Sequence, residues 1–185
     1  MIWLIGCKGM LGSEVAKQLD EKKAHWVGTD KEVDITDPDA LTAFEKSVET
    51  SSYLDTSCTD KHIKWIINCS AYTNVDKAEE EPELADRLNN QGALNIARTA
   101  RRIGAKLIHI STDYVFDGTG CVPYAPDDET NPVSVYGKTK RDGEIAVLEN
   151  AKCPVVIRTA WLYSVHGSNF VKTMRKLGSE RESLN

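Results

Sequence analysis

"IWLIGCKGMLG", residues 2–12, decides how the rest of the chain is read. Four apolar residues, Ile2 to Ile5, make a run of strand length that stops at a glycine. Glycines recur at 6, 9 and 12, and Leu11, Val15, Ala16 and Leu19 then repeat along one face of a helix. Three glycines at this spacing carry little weight alone. Between a strand and a helix each acquires a role. Gly6 makes the tight turn, Gly9 lets the backbone approach a pyrophosphate, and Gly12 lets the helix pack closely on the strand. Lys8, Met10 and Leu11 complete the same turn, and the free N–H groups that open the helix suit an anion.

The rhythm continues outward. Apolar runs at Trp26 to Thr29, Trp65 to Asn68, Lys106 to Ser111 and Val155 to Thr159 alternate with helical stretches. The helices are Pro82 to Ile103, with Gly104 placed as a C-terminal cap, and Val135 to Glu149. This alternation predicts an α/β fold, a Rossmann-type doubly wound parallel sheet with right-handed crossovers. Residues 47–62 are polar and rich in Ser and Thr, which predicts a surface loop. A new amphipathic helix opens in GSNFVKTMRKLG, residues 167–178. Residues 1–160 read as a dinucleotide-binding domain that carries the catalytic residues, and 161–185 as the start of a substrate-binding region.

Composition bounds the partners. At 185 residues, 41% hydrophobic and 28% charged, the chain fits one globular domain with a sizeable core. A net charge of -5, with cations interspersed among acids, argues against a nucleic-acid partner. The N-terminus has no basic segment and only four apolar residues between Met1 and the first glycine. No signal peptide and no membrane span are therefore expected, and the location is read as cytoplasmic. Five cysteines (7, 58, 69, 121, 153) form no CxxC pair and four histidines (25, 62, 109, 166) are scattered, so reduced thiols and no metal site are expected.

Two further clusters carry chemistry. Asp30 ends the second run 18 residues past Gly12, near the spacing of about 20 that places an acid on the adenosine ribose. Its carboxylate suits NADH, because it accepts from ribose hydroxyls and repels a 2′-phosphate. Lys8 and Lys31 offset that repulsion, which keeps NADPH open. Asp34 and Ile35 either flank the adenine or form a charged loop with a helix cap at Asp37.

In VYGKTK, Tyr136 and Lys140 stand four apart, on one face of a helix that follows the fourth strand at the sheet's carboxyl edge. An ammonium beside a phenol lowers its pKa from near 10 toward the working range, and can also bind the nicotinamide ribose. The loop STDYVFDG, residues 111–118, brings Thr112 to the same edge, either as a hydroxyl that orients a substrate carbonyl or simply as a turn cap. Asp113 and Tyr114 would point toward the substrate.

GxxGxxG at 6–12 and YxxxK at 136–140 resemble the extended short-chain dehydrogenase/reductase family. NCSAYTNVDKAEEEPE (68–83), STDYVFDGTG (111–120), NPVSVYGKTKRDGE (131–144) and RTAWLYSVHGSNFVKTM (158–174) narrow the resemblance to its reductases of dTDP-linked 4-keto sugars. The resemblance implies hydride transfer from NADH or NADPH to the C4 ketone of dTDP-4-dehydro-L-rhamnose, giving dTDP-L-rhamnose, with Tyr136 as proton donor. It implies a catalytic triad of Thr112, Tyr136 and Lys140. It lays Cys69, Ser70, Ala71 and Tyr72 along the cofactor, Val75, Asp113, Tyr114 and Trp161 near the sugar nucleotide, and Asn169 at the substrate edge. Val75 and Trp161 also fit plain core positions, and Glu79 to Glu81 a solvated helix start. Cys69 and Ser70 stand where members usually carry small residues.

Some members are homodimers, some with magnesium; no carboxylate cluster here marks a metal, and the oligomeric state stays open. Members also continue well past the equivalent of Asn185, so a fragment lacking much of the sugar-nucleotide pocket is expected. Two alternatives remain. One is a non-catalytic NADP-binding regulatory subunit like that of methionine adenosyltransferase, which intact Thr112, Tyr136 and Lys140 lean against; the other is a reductase or epimerase of another nucleotide sugar.

Overall fold

A computed structural model describes residues 1–50, 61–181 and 183. Among the described residues five parallel strands form one sheet: β1 (Ile2–Ile5), β2 (Trp26–Thr29), β3 (Trp65–Asn68), β4 (Lys106–Thr112) and β5 (Pro154–Thr159), in the order β2-β1-β3-β4-β5. The pairing keeps register along the sheet, with Ile5 opposite both Thr29 and Asn68, and Thr112 opposite Thr159. The order reverses between β1 and β3, the switch point at which open α/β sheets leave a crevice beyond their carboxyl ends.

Between the strands run α1 (Met10–Glu21), α2 (Pro38–Thr50), α3 (Val75–Glu80), α4 (Pro82–Asp86), α5 (Gly92–Ile103), α6 (Val135–Asn150) and α7 (Phe170–Glu180). Helix α2 takes up residues 47–50, the first part of the expected loop; residues 51–60 of that expectation lie outside the described residues. The reason is amphipathic spacing: Leu41, Glu45 and Val48 are buried on one face, and Asp37 accepts from the Asp39 N–H at 2.9 Å to start the helix.

The core lies where β1, β3 and β4 meet α2, α5 and α6. Trp3, Ile5, Leu41, Ile66, Ile96, Leu107 and Val147 form one buried cluster, each contributing about 1.5–3 kcal/mol of apolar burial. Trp3 keeps its polar atom satisfied by donating from Nε1 to Thr29 Oγ1 at 2.9 Å.

The expected helix Pro82 to Ile103 exists, but with one wide π turn at Arg87–Gln91 joining α4 to α5. Buried Ala85, Asn89, Ala93 and Ala97 follow one another at intervals of four. A spacing of four drifts around a 3.6-residue helix, and one wide turn returns the series to the core face. The helix ends on Gly104 at φ +74°, the left-handed cap its sequence position suggests.

Candidate active site

The glycine turn presses against the loop that follows β3. Gly6 has φ +78°, and a Cβ there would sit 2.8 Å from the Ser70 nitrogen and 2.9 Å from the Cys69 carbonyl carbon. Only glycine fits both the dihedral and the approach. At Gly12 a Cβ would meet the Gly6 oxygen, so the helix lies directly on the turn. Helix α1 begins after Gly9 with no side-chain cap and no acid in its first turn, which leaves its N–H groups and positive dipole end open to an anion.

At the end of β2, Asp30 is held by two backbone amides: Lys8 N–H donates to Oδ2 at 3.1 Å and Lys31 N–H to Oδ1 at 2.9 Å. Each oxygen keeps a lone pair for a ribose hydroxyl. The Asp34 carboxylate accepts from both the N–H and the hydroxyl of Thr36, which holds its pKa below the ordinary value, and Asn95 fixes the loop through the Ile35 and Thr36 carbonyls.

Thr112 ends β4, and its Oγ1 accepts from the Tyr114 N–H at 3.2 Å while donating to Asp113 Oδ1 at 3.0 Å. It is thus a turn cap, and it also stands beside the Tyr136 hydroxyl, whose pKa it pulls down. The stronger influence on Tyr136 is burial, and the phenol is raised overall. Lys140 does not act on it here; its Nζ donates to the Ile110 carbonyl at 2.7 Å. Burial lowers the Lys140 pKa to about 8, against the pull of Glu144 and Cys69. The ammonium-lowered phenol expected from the helical spacing is therefore replaced by a buried phenol that keeps its proton. Cys69 is pushed up to about 12 by burial, so it is a neutral thiol and no nucleophile.

These groups share one cavity of about 780 Å³ over the switch point. It takes in Gly6, Gly9, Met10 and Leu11 from the turn, and Asp30, Asp34 and Ile35 beyond β2. Cys69, Ser70, Ala71 and Val75 line it after β3, and Thr112, Asp113, Tyr114, Tyr136, Lys140 and Trp161 on the far side. Trp161 is 75% exposed with φ +54°, which removes the core reading.

Four expected residues do not line it. Gly12 is packed beneath the turn. Lys8 turns its ammonium to Glu32 at 3.1 Å, because Glu32 folds back on the Asp30 N–H and fixes a carboxylate there. Tyr72 points away: its ring packs on Ala78, Ala85 and Tyr136 and its hydroxyl donates to Glu81 at 2.7 Å. Asn169 caps α7 by accepting from the Lys172 N–H and donates to the Ser164 carbonyl. Glu79 to Glu81 lead from the end of α3 into the N-cap of α4, with Glu79 and Glu80 exposed as a solvated helix start would be, and Glu79 also accepts from the Val135 N–H at 2.8 Å, tying α3 to the start of α6.

Residues the sequence did not single out complete the wall, among them Thr36, Arg87, Leu88 and Thr159. Thr159 ends a strand at the carboxyl edge, which was a usable signal. Arg87 and Leu88 sit in the wide turn, whose facing no regular period predicts. Among the described residues no group of three or more His, Cys, Asp or Glu side chains stands close enough to hold a metal ion, and no helix is long and apolar enough to cross a membrane.

A parallel sheet, an uncapped glycine turn at its switch point and a Tyr–Lys helix on the same cavity define a Rossmann-type α/β domain. More particularly, the chain belongs to the family described as the RmlD substrate binding domain, whose match covers residues 1–185. It is similar to dTDP-4-dehydrorhamnose reductase of Mycolicibacterium smegmatis, with 43% identity over 96% of this chain and 51% of that relative. The fold matches the crystal structure of a dTDP-4-dehydrorhamnose reductase from Clostridium acetobutylicum, with TM-score 0.88, 41% identity, and 99% and 61% of the two chains covered. It also matches the Bacillus anthracis dTDP-4-dehydrorhamnose reductase in complex with NADP, with TM-score 0.87, 36% identity, and 98% and 60% covered. The chain spans about half the length of the curated relatives it matches.

Proposed function

We propose that this chain supplies the cofactor-binding and proton-donating half of an NAD(P)H-dependent reductase that converts dTDP-4-dehydro-L-rhamnose to dTDP-L-rhamnose. The observation that carries the reading is the convergence of Thr112, Tyr136 and Lys140 on the cavity that also holds Gly6, Gly9 and Asp30. A reduced nicotinamide, when bound, supplies the hydride. Tyr136, kept protonated by burial, gives its proton to the C4 oxygen as charge develops there. Thr112 orients that oxygen. Lys140 spends one of its three protons on Ile110 and keeps two for ribose hydroxyls. Asp30 takes the adenosine ribose, and the open N-terminus of α1 takes the pyrophosphate.

On the same reading residues 161–185 begin the sugar-nucleotide region, with Trp161 and Tyr114 against the sugar, and the enzyme works in the cytoplasm. The names of its relatives support the substrate. Mixing the full-length protein that carries this chain with reduced nicotinamide and the keto sugar is expected to consume cofactor. Tyr136→Phe should slow consumption by about 10²-fold or more while cofactor still binds. No consumption, or a Tyr136→Phe variant as fast as the parent, ends the reading.

A further inference from the structure

Behind the Tyr136–Lys140 pair, on the side away from the cavity, lies a charged cluster that the reaction does not use. Glu144 is one helical turn past Lys140 on α6 and is wholly buried, as is the lysine. Its carboxylate is gripped from two elements: Arg158 on β5 donates from Nε at 2.9 Å and from Nη2 at 2.8 Å, and Arg141 on α6 donates from Nη1 at 3.1 Å. The arginines reach further. Arg158 bonds the Pro126 carbonyl at 3.0 Å and lies 5.0 Å from the Phe116 ring centre, and Arg141 bonds the Thr130 hydroxyl at 2.8 Å. One buried carboxylate thus joins the catalytic helix, the edge strand and the 116–131 loop that follows Thr112.

A desolvated carboxylate with this many donors is costly to keep unless its charge serves something. One turn back on the same helix face lies the desolvated Lys140 ammonium, which the Glu144 charge favours without pairing with it directly. The charged or titratable groups around Lys140 are Cys69 after β3, His109 on β4, and Tyr136 and Glu144 on its own helix. His109 is fully buried and neutral, accepting at Nδ1 from Asn68 while its Nε2 has no partner among the described residues. Cys69 is a neutral thiol. That leaves Glu144 as the anion among them.

Resting on the reductase reading for its meaning, but not for its test, the geometry points to Glu144 as a positioning residue. We propose that its buried charge stabilises the Lys140 ammonium at its Ile110 contact, while Arg158 and Arg141 set how much of that charge reaches the lysine. The positioning acts through Lys140; Glu144 itself does not line the cavity.

The test follows the lysine directly. In the lysine-labelled protein the Cε resonance of Lys140, assigned by Lys140→Arg, is expected to titrate near pH 8. Glu144→Gln should lower that midpoint by about one pH unit. Arg158→Gln, which frees more of the carboxylate for Lys140, should raise it. Opposite signs from two partners in one ion pair are what a merely structural role does not produce, and Arg158→Gln keeps the test alive if Glu144→Gln fails to fold. A midpoint unmoved in either folded variant, or moved the same way in both, overturns the proposal. If the midpoints move as expected and the full-length protein nonetheless reduces no keto sugar, the positioning stands and the assigned reaction falls.

Discussion

Asn89 grips the backbone of Tyr72 with both ends of its side-chain amide. The Tyr72 N–H donates to Oδ1 at 2.8 Å, Nδ2 donates to the Tyr72 carbonyl at 3.1 Å, and the same Nδ2 reaches Thr139 Oγ1 at 3.1 Å. A residue in the wide turn thereby sets both the loop after β3, which carries Cys69 to Ala71, and the helix that carries Tyr136 and Lys140.

Asn89→Ala removes all three bonds and leaves half-buried backbone groups of Tyr72 unpaired. At about 1–3 kcal/mol for each group left unsatisfied, the variant is expected to lose about 2–4 kcal/mol in urea unfolding and to bind reduced nicotinamide more weakly. Full stability would show that the loop is held by something else.

Gly143 lies on α6 against that same turn, and a Cβ there would meet the Asn89 carbonyl oxygen. In an exposed helix Gly→Ala stabilises by roughly 1 kcal/mol. Here the obstacle is backbone, so Gly143→Ala should destabilise by about 1–3 kcal/mol. The sign alone decides, and a thermal melt reads it.

Lys140 makes stability depend on pH in the alkaline range. Its folded pKa is lowered from 10.5 to about 8, chiefly by burial. Between those values the unfolded chain binds the proton that the folded chain has released, so stability rises with pH through that window by up to about 3 kcal/mol and is flat below it. Unfolding measured at successive pH values should therefore show the parent gaining on Lys140→Met as the pH is raised from about 8 toward 10. Parallel curves would mean that the lysine is solvated in the folded protein.

Cofactor choice should respond to Glu32. It holds the Lys8 ammonium at 3.1 Å, and both side chains are more than half exposed. Glu32→Gln removes a negative charge next to Asp30 and releases Lys8 toward a 2′-phosphate. In fluorescence titrations NADPH affinity should improve a few-fold relative to NADH, and the gain should shrink as salt is added. An unchanged ratio would place Lys8 out of reach of the ribose.

By itself the sequence determined everything that repeats locally. Strand runs such as Trp65 to Asn68 and the turn from Gly6 to Gly12 are legible because apolar period and glycine placement act over a few neighbouring residues, and the same locality put Tyr136 and Lys140 on one helix face. Of helix α2 the sequence offered only the cap at Asp37; its buried face of Leu41, Glu45 and Val48 was missed because the polar residues of its last turn resemble loop. Tertiary structure alone decided the rest. The partners of Asn89 lie 17 and 50 residues away, and Glu79 caps a helix 56 residues on. Such pairs leave no period to read, since the chain between them sets neither distance nor direction. Whether Tyr72 faces the cavity, whether Lys140 turns to a phenol or to a carbonyl, and which charge stands behind it are settled by packing. Burial fixes the sign of those pKa shifts, and burial exists only once the sheet and its helices have closed.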